Sequence, residues 1–194
     1  MSLPLTVLTT RLELIAATAE TVSLELHNVE QFATALGVAV PASWPPPLND
    51  EGSQRWSLEM LQRRGSGVGW ALWYLIRREP IRELVGVAGF KGPPADGSCE
   101  IGYSVLPPFH GNGYATEASR ELIGWAFSHR AVERVTSETL PNLIDSIRVM
   151  EKCGMRFIGD GNPEEGQRTV RYAVDRAEFR LHSRRRGMRP VRRV

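Results

Sequence analysis

Two cysteines in 194 residues, Cys99 and Cys153, are too few for a disulfide framework, and neither has metal-ligand spacing. Both read as small buried apolar side chains, which excludes a zinc module and leaves no metal expected. Lysine is nearly absent: Lys91 and Lys152 stand among 24 basic residues. No stretch approaches the ~20 consecutive apolar residues of a membrane span, so no membrane partner is expected. Met1 to Arg11 lacks the charged start, apolar middle and small-residue cleavage site of a secretory signal, which makes the cytoplasm the expected compartment.

What is present is the composition of a globular domain, 42% hydrophobic and 24% charged. Its charge is unevenly spread. Seven of the 24 basic residues follow the last acidic one, Glu178, leaving 17 against 22 acidic groups and a body at −5. The expected organisation is a single domain over 1–178 and an Arg-rich tail over 179–194. The tail has too few apolar residues to offset the entropy of ordering itself, and its guanidinium groups suit weak, salt-dependent contact with RNA or a ribosome.

Alternation at Leu12 and Leu14 predicts a strand over 10–16. Val22, Leu26, Val29, Ala33 and Leu36 predict one helix that Gly37 ends, with Thr18 as a cap. Pro41, Pro45, Pro46 and Pro47 exclude helix or central strand between 38 and 49, and a weaker helix is expected over 51–64, capped by Asn49 or Asp50. Residues 69–76 are apolar on both faces and pair in a predicted hairpin with 83–91. A strand over 98–105 follows, then a glycine loop and a helix carrying Ala115, Ala118, Leu122, Trp125 and Ala126. A strand over 133–140, a helix over 141–154 and strands over 156–159 and 169–175 complete a mixed α/β order.

The segment after Val105 carries the chemistry. Gly111 and Gly113 lie between a strand and a helix start, where unpaired N–H groups and the helix dipole attract an anion and glycine admits it to the backbone. No Gly-Lys-Ser/Thr is present and residue 116 is Thr, which disfavours a P-loop and the Gly-x-Gly-x-x-Gly fingerprint.

The stretch Val105, then His110-Gly111-Asn112-Gly113-Tyr114-Ala115, resembles the GNAT superfamily of acetyl-coenzyme A-dependent N-acetyltransferases, whose loop reads Arg/Gln-x-x-Gly-x-Gly/Ala. Thr10-Arg11-Leu12-x-Leu14, Glu100-Ile101-Gly102-Tyr103, Gly113 to Ala118 and Ser146 to Met155 are similar to its ribosomal-protein N-terminal (alanine) acetyltransferase-like branch. The chain departs from the pattern at His110, where the family has Arg or Gln, at Leu143, where it often has Asn, and at Ile15, where Arg is frequent. The resemblance implies an α/β (α+β) fold with a mixed, mostly antiparallel sheet of about seven strands and about four helices on both faces. It implies acetyl-CoA as cosubstrate, held by Val105, Leu106, His110, Gly111, Asn112, Gly113, Tyr114 and Ala115, and direct transfer to a primary amine in a ternary complex.

An amine attacks only when neutral; an α-amino group of pKa ~8 is roughly a tenth neutral at pH 7, a lysine far less. By the resemblance, Ser146 protonates the leaving thiolate, and the N–H of Val105 or Leu106 binds the oxyanion. Glu100 and Glu138 flank the cleft, and either could hold the attacking water or be an ion-paired strand residue. Tyr103 and Tyr114 are alternative acids or packing residues. Trp70, Trp73 and Tyr74 line an acceptor pocket or belong to the core, while Trp44 in its proline-rich loop is expected as an exposed anchor for acceptor or partner. The acceptor is a protein N-terminus or a small-molecule amine, and the protein a monomer or homodimer. The competing reading is a non-catalytic acetyl-CoA sensor or RNA-associated protein that uses the tail.

Overall fold

Thr18 opens the first helix with a capping box, its hydroxyl accepting from the Thr21 N–H while the Thr21 hydroxyl accepts from the Thr18 N–H. The helix stops nine residues later because Asn28 turns the backbone out and caps a second helix, accepting from the Gln31 N–H at 3.0 Å. The single helix expected over 22–36 is therefore two, Ala19–His27 (α1) and Val29–Leu36 (α2). Asp50, not Asn49, caps Glu51–Gln62 (α3).

The computed structural model describes residues 4–63, 67–161 and 168–185. Among these, eight strands form one sheet: Thr6–Leu8 (β1), Leu12–Ala16 (β2), Leu72–Arg77 (β3), Glu83–Phe90 (β4), Ser98–Val105 (β5), Arg134–Thr139 (β6), Arg156–Asp160 (β7) and Val170–Asp175 (β8). Their spatial order is β1-β2-β3-β4-β5-β6-β8-β7, antiparallel except for β5 beside β6. The other helices are Tyr114–Phe127 (α4), Ile144–Lys152 (α5) and Arg176–Arg185 (α6). The described elements thus exceed the expected seven strands and four helices. β1 is only three residues long, too short for its alternation to register.

The two-sided burial of β3 explains its apolar sequence. Trp73 and Leu75 join Leu12, Leu14, Leu122 and Trp125 beneath α4; Tyr74 and Ile76 join Val22 and Phe32 beneath α1 and α2. Trp70, Trp73 and Tyr74 are core residues rather than pocket lining. Trp44 is half-buried against Phe32 and Tyr74, with its indole N–H donated to Glu25 at 3.0 Å, so it is not the exposed anchor expected. Burial pushes the Cys99 thiol up to about 12, and Cys153 is equally enclosed.

The boundary expected after Glu178 falls inside α6. Phe179 is 8% exposed and stacks on Phe127 at 5.4 Å, while Arg176 donates to the carbonyls of Phe127, His129 and Val132. The start of the tail is therefore part of the domain; its arginines from 186 onward lie outside the described residues.

Candidate active site

β5 and β6 run parallel but pair only from Ser98 to Glu100, opposite Arg134 to Thr136. Beyond that the strands diverge, and β6 stays with β8 as far as Thr139. The opening holds a cleft of about 1330 Å³, walled by Tyr103 and Val105 from β5, Ser137 and Glu138 from β6, the glycine loop, and Ser146 on α5.

The loop is built for an anion. Gly111 and Gly113 have φ of 76° and 78°, the left-handed region where a Cβ is costly. A Cβ on Gly111 would find no protein atom within 4 Å, so the backbone there faces open cleft. Gly113 caps α4 without a side-chain bond, and the first helical bond to it comes from the Glu117 N–H at 3.0 Å. The N–H groups of Tyr114, Ala115 and Thr116 precede that first bond and so have no intrahelical acceptor, and all three residues line the cleft. These features fit the pyrophosphate of acetyl-CoA.

Of the eight expected coenzyme residues, Val105, His110, Gly111, Gly113, Tyr114 and Ala115 line the cleft. Leu106 does not: it is fully buried, and its N–H is donated to the Val85 carbonyl at 2.9 Å, which removes it as an oxyanion donor. The alternation of the antiparallel ladder then turns the Val105 N–H away from β4, toward the side that β6 has left. The Asn112 side chain folds back on the carbonyls of Phe109 and His110 at 3.1 and 3.2 Å, so it too leaves the cleft wall. His110 donates Nε2–H to the Val105 carbonyl at 2.7 Å and braces the strand end.

Among the acid and base candidates, Ser146 and Glu138 line the cleft, and Glu138 accepts from the Thr169 hydroxyl. Glu100 does not line it; Lys91 holds its carboxylate at 2.7 Å, the ion-pair reading of that residue. Tyr103 is more than packing. Its hydroxyl donates to the Ser146 carbonyl at 2.8 Å and lies 3.2 Å from Ser146 Oγ, linking β5 to α5. Burial pushes the Tyr103 phenol well above its ordinary range, the Ser146 hydrogen bond only partly offsetting this, so it remains a proton carrier.

Two residues gain importance only in three dimensions. Arg11 reaches from the β1–β2 turn to the glycine loop, donating to the Asn112 carbonyl at 2.9 Å, pairing with Glu117 at 2.7 Å and covering the Tyr114 ring at 4.8 Å. Burial raises the Glu117 carboxyl, but the Thr9 hydroxyl and Arg11 outweigh it and hold the group below the ordinary carboxylate range. Glu25, on the buried face of α1, accepts from Trp44, Asn49, Gln54 and Tyr74, the last at 2.7 Å. Burial raises its carboxyl, and the four neutral donors only moderate the effect. A glutamate three residues after Val22, inside an apolar helix face, was its sequence signal.

The arrangement agrees with sequence and structure comparisons. The N-acetyltransferase YjdG of Bacillus subtilis is 32% identical over 97 residues, 50% of this chain and 57% of that protein. The FsC-acetyl coenzyme A-N(2)-transacetylase of Aspergillus fumigatus is 36% identical over 89 residues, covering 41% and 37%. The chain thus spans about half the length of the curated relatives it matches. A GNAT-family acetyltransferase from Bacillus anthracis shares the fold with a TM-score of 0.61 at 21% identity, over 89% of this chain and 99% of that one. RimL, a ribosomal alpha-N-protein acetyltransferase in complex with coenzyme A, shares it with a TM-score of 0.62 at 19% identity, over 88% and 97%. The acetyltransferase (GNAT) domain model matches residues 11–156, from the arginine that clasps the loop to the first residue of β7, and on that match the chain belongs to the GNAT acetyltransferase family.

Proposed function

We propose that the protein is an N-acetyltransferase that moves the acetyl group of acetyl-CoA directly to a primary amine while both substrates are bound. The observation that carries this reading is the β5–β6 splay, which sets the Ser146–Tyr103 pair and Glu138 in one cleft with the glycine loop. The cleft of about 1330 Å³ exceeds the ~300–1,000 Å³ of a typical single-ligand pocket, as two substrates require.

Acetyl-CoA supplies the activated acyl group; the chain supplies position and protons. Glycine-loop N–H groups hold the pyrophosphate, and the Val105 N–H faces the carbonyl oxygen as charge develops on it. Glu138, directly or through water, takes the proton of the attacking amine as the N–C bond forms. Ser146, backed by the Tyr103 hydroxyl, returns a proton to sulfur as the C–S bond breaks. A thiol with pKa near ~8.5 leaves readily, so the acid contributes less than correct placement does.

Incubation with acetyl-CoA and a panel of peptide and small-molecule amines tests the reading through thiol release and acetylated product. Thiol release without acetylated amine, or no acetyl-CoA binding by calorimetry, would refute it.

A further inference from the structure

Between Pro47 and Trp56 the cleft has an apolar lip. Leu48 is 79% exposed and Trp56 47%, and both line the cleft beside Pro47. An exposed leucine is ordinary by itself. Leu48 also has φ of 66°, a left-handed conformation that a non-glycine residue keeps only where its surroundings impose it.

The surroundings are on either side of it. Trp44 and Asn49 flank the segment, and both donate to buried Glu25; Gln54, near the start of α3, donates to the same carboxylate oxygen. The Ser104 hydroxyl, on β5, donates to the Pro47 carbonyl and ties the segment to the sheet. The exposed apolar lip is thus a preorganised wall.

Charge in the cleft limits what that wall can receive. Among the described lining residues the carboxylates are Glu138 and Asp145, and Asp145 is paired with Arg148 at 3.0 Å. Of the lining cations, Lys91 is paired with Glu100 and Arg148 with Asp145, which leaves Lys152 without an ion pair among the described residues. Glu138, the lining carboxylate with no ion pair among the described residues, matches one ammonium group; a second ammonium would meet Lys152 or apolar surface.

We infer that the acceptor is a small primary amine with a single positive charge and an apolar body, which packs on Leu48 and Trp56 while its nitrogen meets Glu138. This rests on the acetyltransferase reading and narrows its substrate class. Each buried methylene or ring face adds discrimination, while a polycation loses the solvation of its extra charges.

Steady-state rates with phenethylamine, butylamine, spermidine, kanamycin and an alanine-initiated peptide at saturating acetyl-CoA provide the test. Phenethylamine should exceed each of the others in kcat/KM by about tenfold. Trp56→Ala and Leu48→Ser should bring its ratio to butylamine within about threefold, chiefly through KM, and leave acetyl-CoA affinity unchanged. Preference for a polyamine, the aminoglycoside or the peptide, or a ratio unmoved by Trp56→Ala, would overturn the inference while the acetyltransferase reading stood. If no amine were acetylated, that reading would fail, and calorimetry of phenethylamine on the CoA-loaded protein would still decide this site. Binding weakened by Trp56→Ala upholds it, and absent or unaltered binding overturns it.

Discussion

Arg11 Nη1 donates to the Asn112 carbonyl at 2.9 Å while the same guanidinium grips Glu117 of α4, so one side chain from the first hairpin ties the glycine loop to the first turn of the helix that follows it. With the carbonyl held outward, the amides of the loop are left to the cleft.

Arg11→Met should therefore weaken acetyl-CoA binding about tenfold, since a charge-assisted hydrogen bond that positions the loop is lost. Its effect on stability should be about 1 kcal/mol, because the arginine is 46% exposed and solvent screens the pair. Calorimetry and urea unfolding measure the two quantities. An unchanged affinity would show that the loop holds its shape without the clasp.

Tyr103 and Ser146 should act as a unit. Each of Ser146→Ala and Tyr103→Phe is expected to lower kcat about tenfold with little change in acetyl-CoA affinity, and the double variant should fall well short of the product of the two. Multiplicative losses would separate the two hydroxyls into independent roles.

Glu25 makes stability depend on pH in a defined direction. Its folded-state pKa is raised from an ordinary 4.5, first by burial, so the native protein binds this proton more tightly than the unfolded chain does. The associated stability is fully present below the unfolded value and is lost as pH rises through the folded one. Relative to Glu25→Gln, which does not titrate, the native protein should be most favoured in acid and lose that advantage as the pH rises above 4.5. Denaturation midpoints of both proteins across pH check this; a gap independent of pH would contradict it.

Phe179 and the residues after Arg185 should behave oppositely. Phe179→Ala removes a ring that is 8% exposed and should cost about 3 kcal/mol, read as a lowered denaturation midpoint. Truncation after Arg185 should leave both the midpoint and turnover of a small amine nearly unchanged, and should abolish any salt-sensitive RNA binding. Loss of turnover in the truncated protein would make the final residues part of the site.

Local rules carried much of the fold. Thr18 and Gly37 bound their helices because a hydroxyl cap and a left-handed glycine act over a few residues, and β3 was readable because burial on both faces leaves no polar alternation. The glycine loop was equally legible, since glycines between a strand and a helix start mark the left-handed backbone found there. What depends on partners distant in sequence was not. Asn28 splits a continuous apolar pattern by capping forward, and Phe179 enters the core from a segment whose arginines suggest a solvated tail. Glu100 and Glu138 are similar residues on adjacent strands; only the divergence of β5 from β6 puts Glu138 in the cleft and leaves Glu100 to Lys91. Trp44, expected as the exposed anchor, is drawn inward by buried Glu25, and it is Leu48 and Trp56 that stand exposed at the cleft. Sequence determined the glycine loop because its backbone conformation is set locally. The tertiary structure decided which side chains face the cleft and which are paired away from it, because that depends on which distant group neutralises, buries or reaches each one.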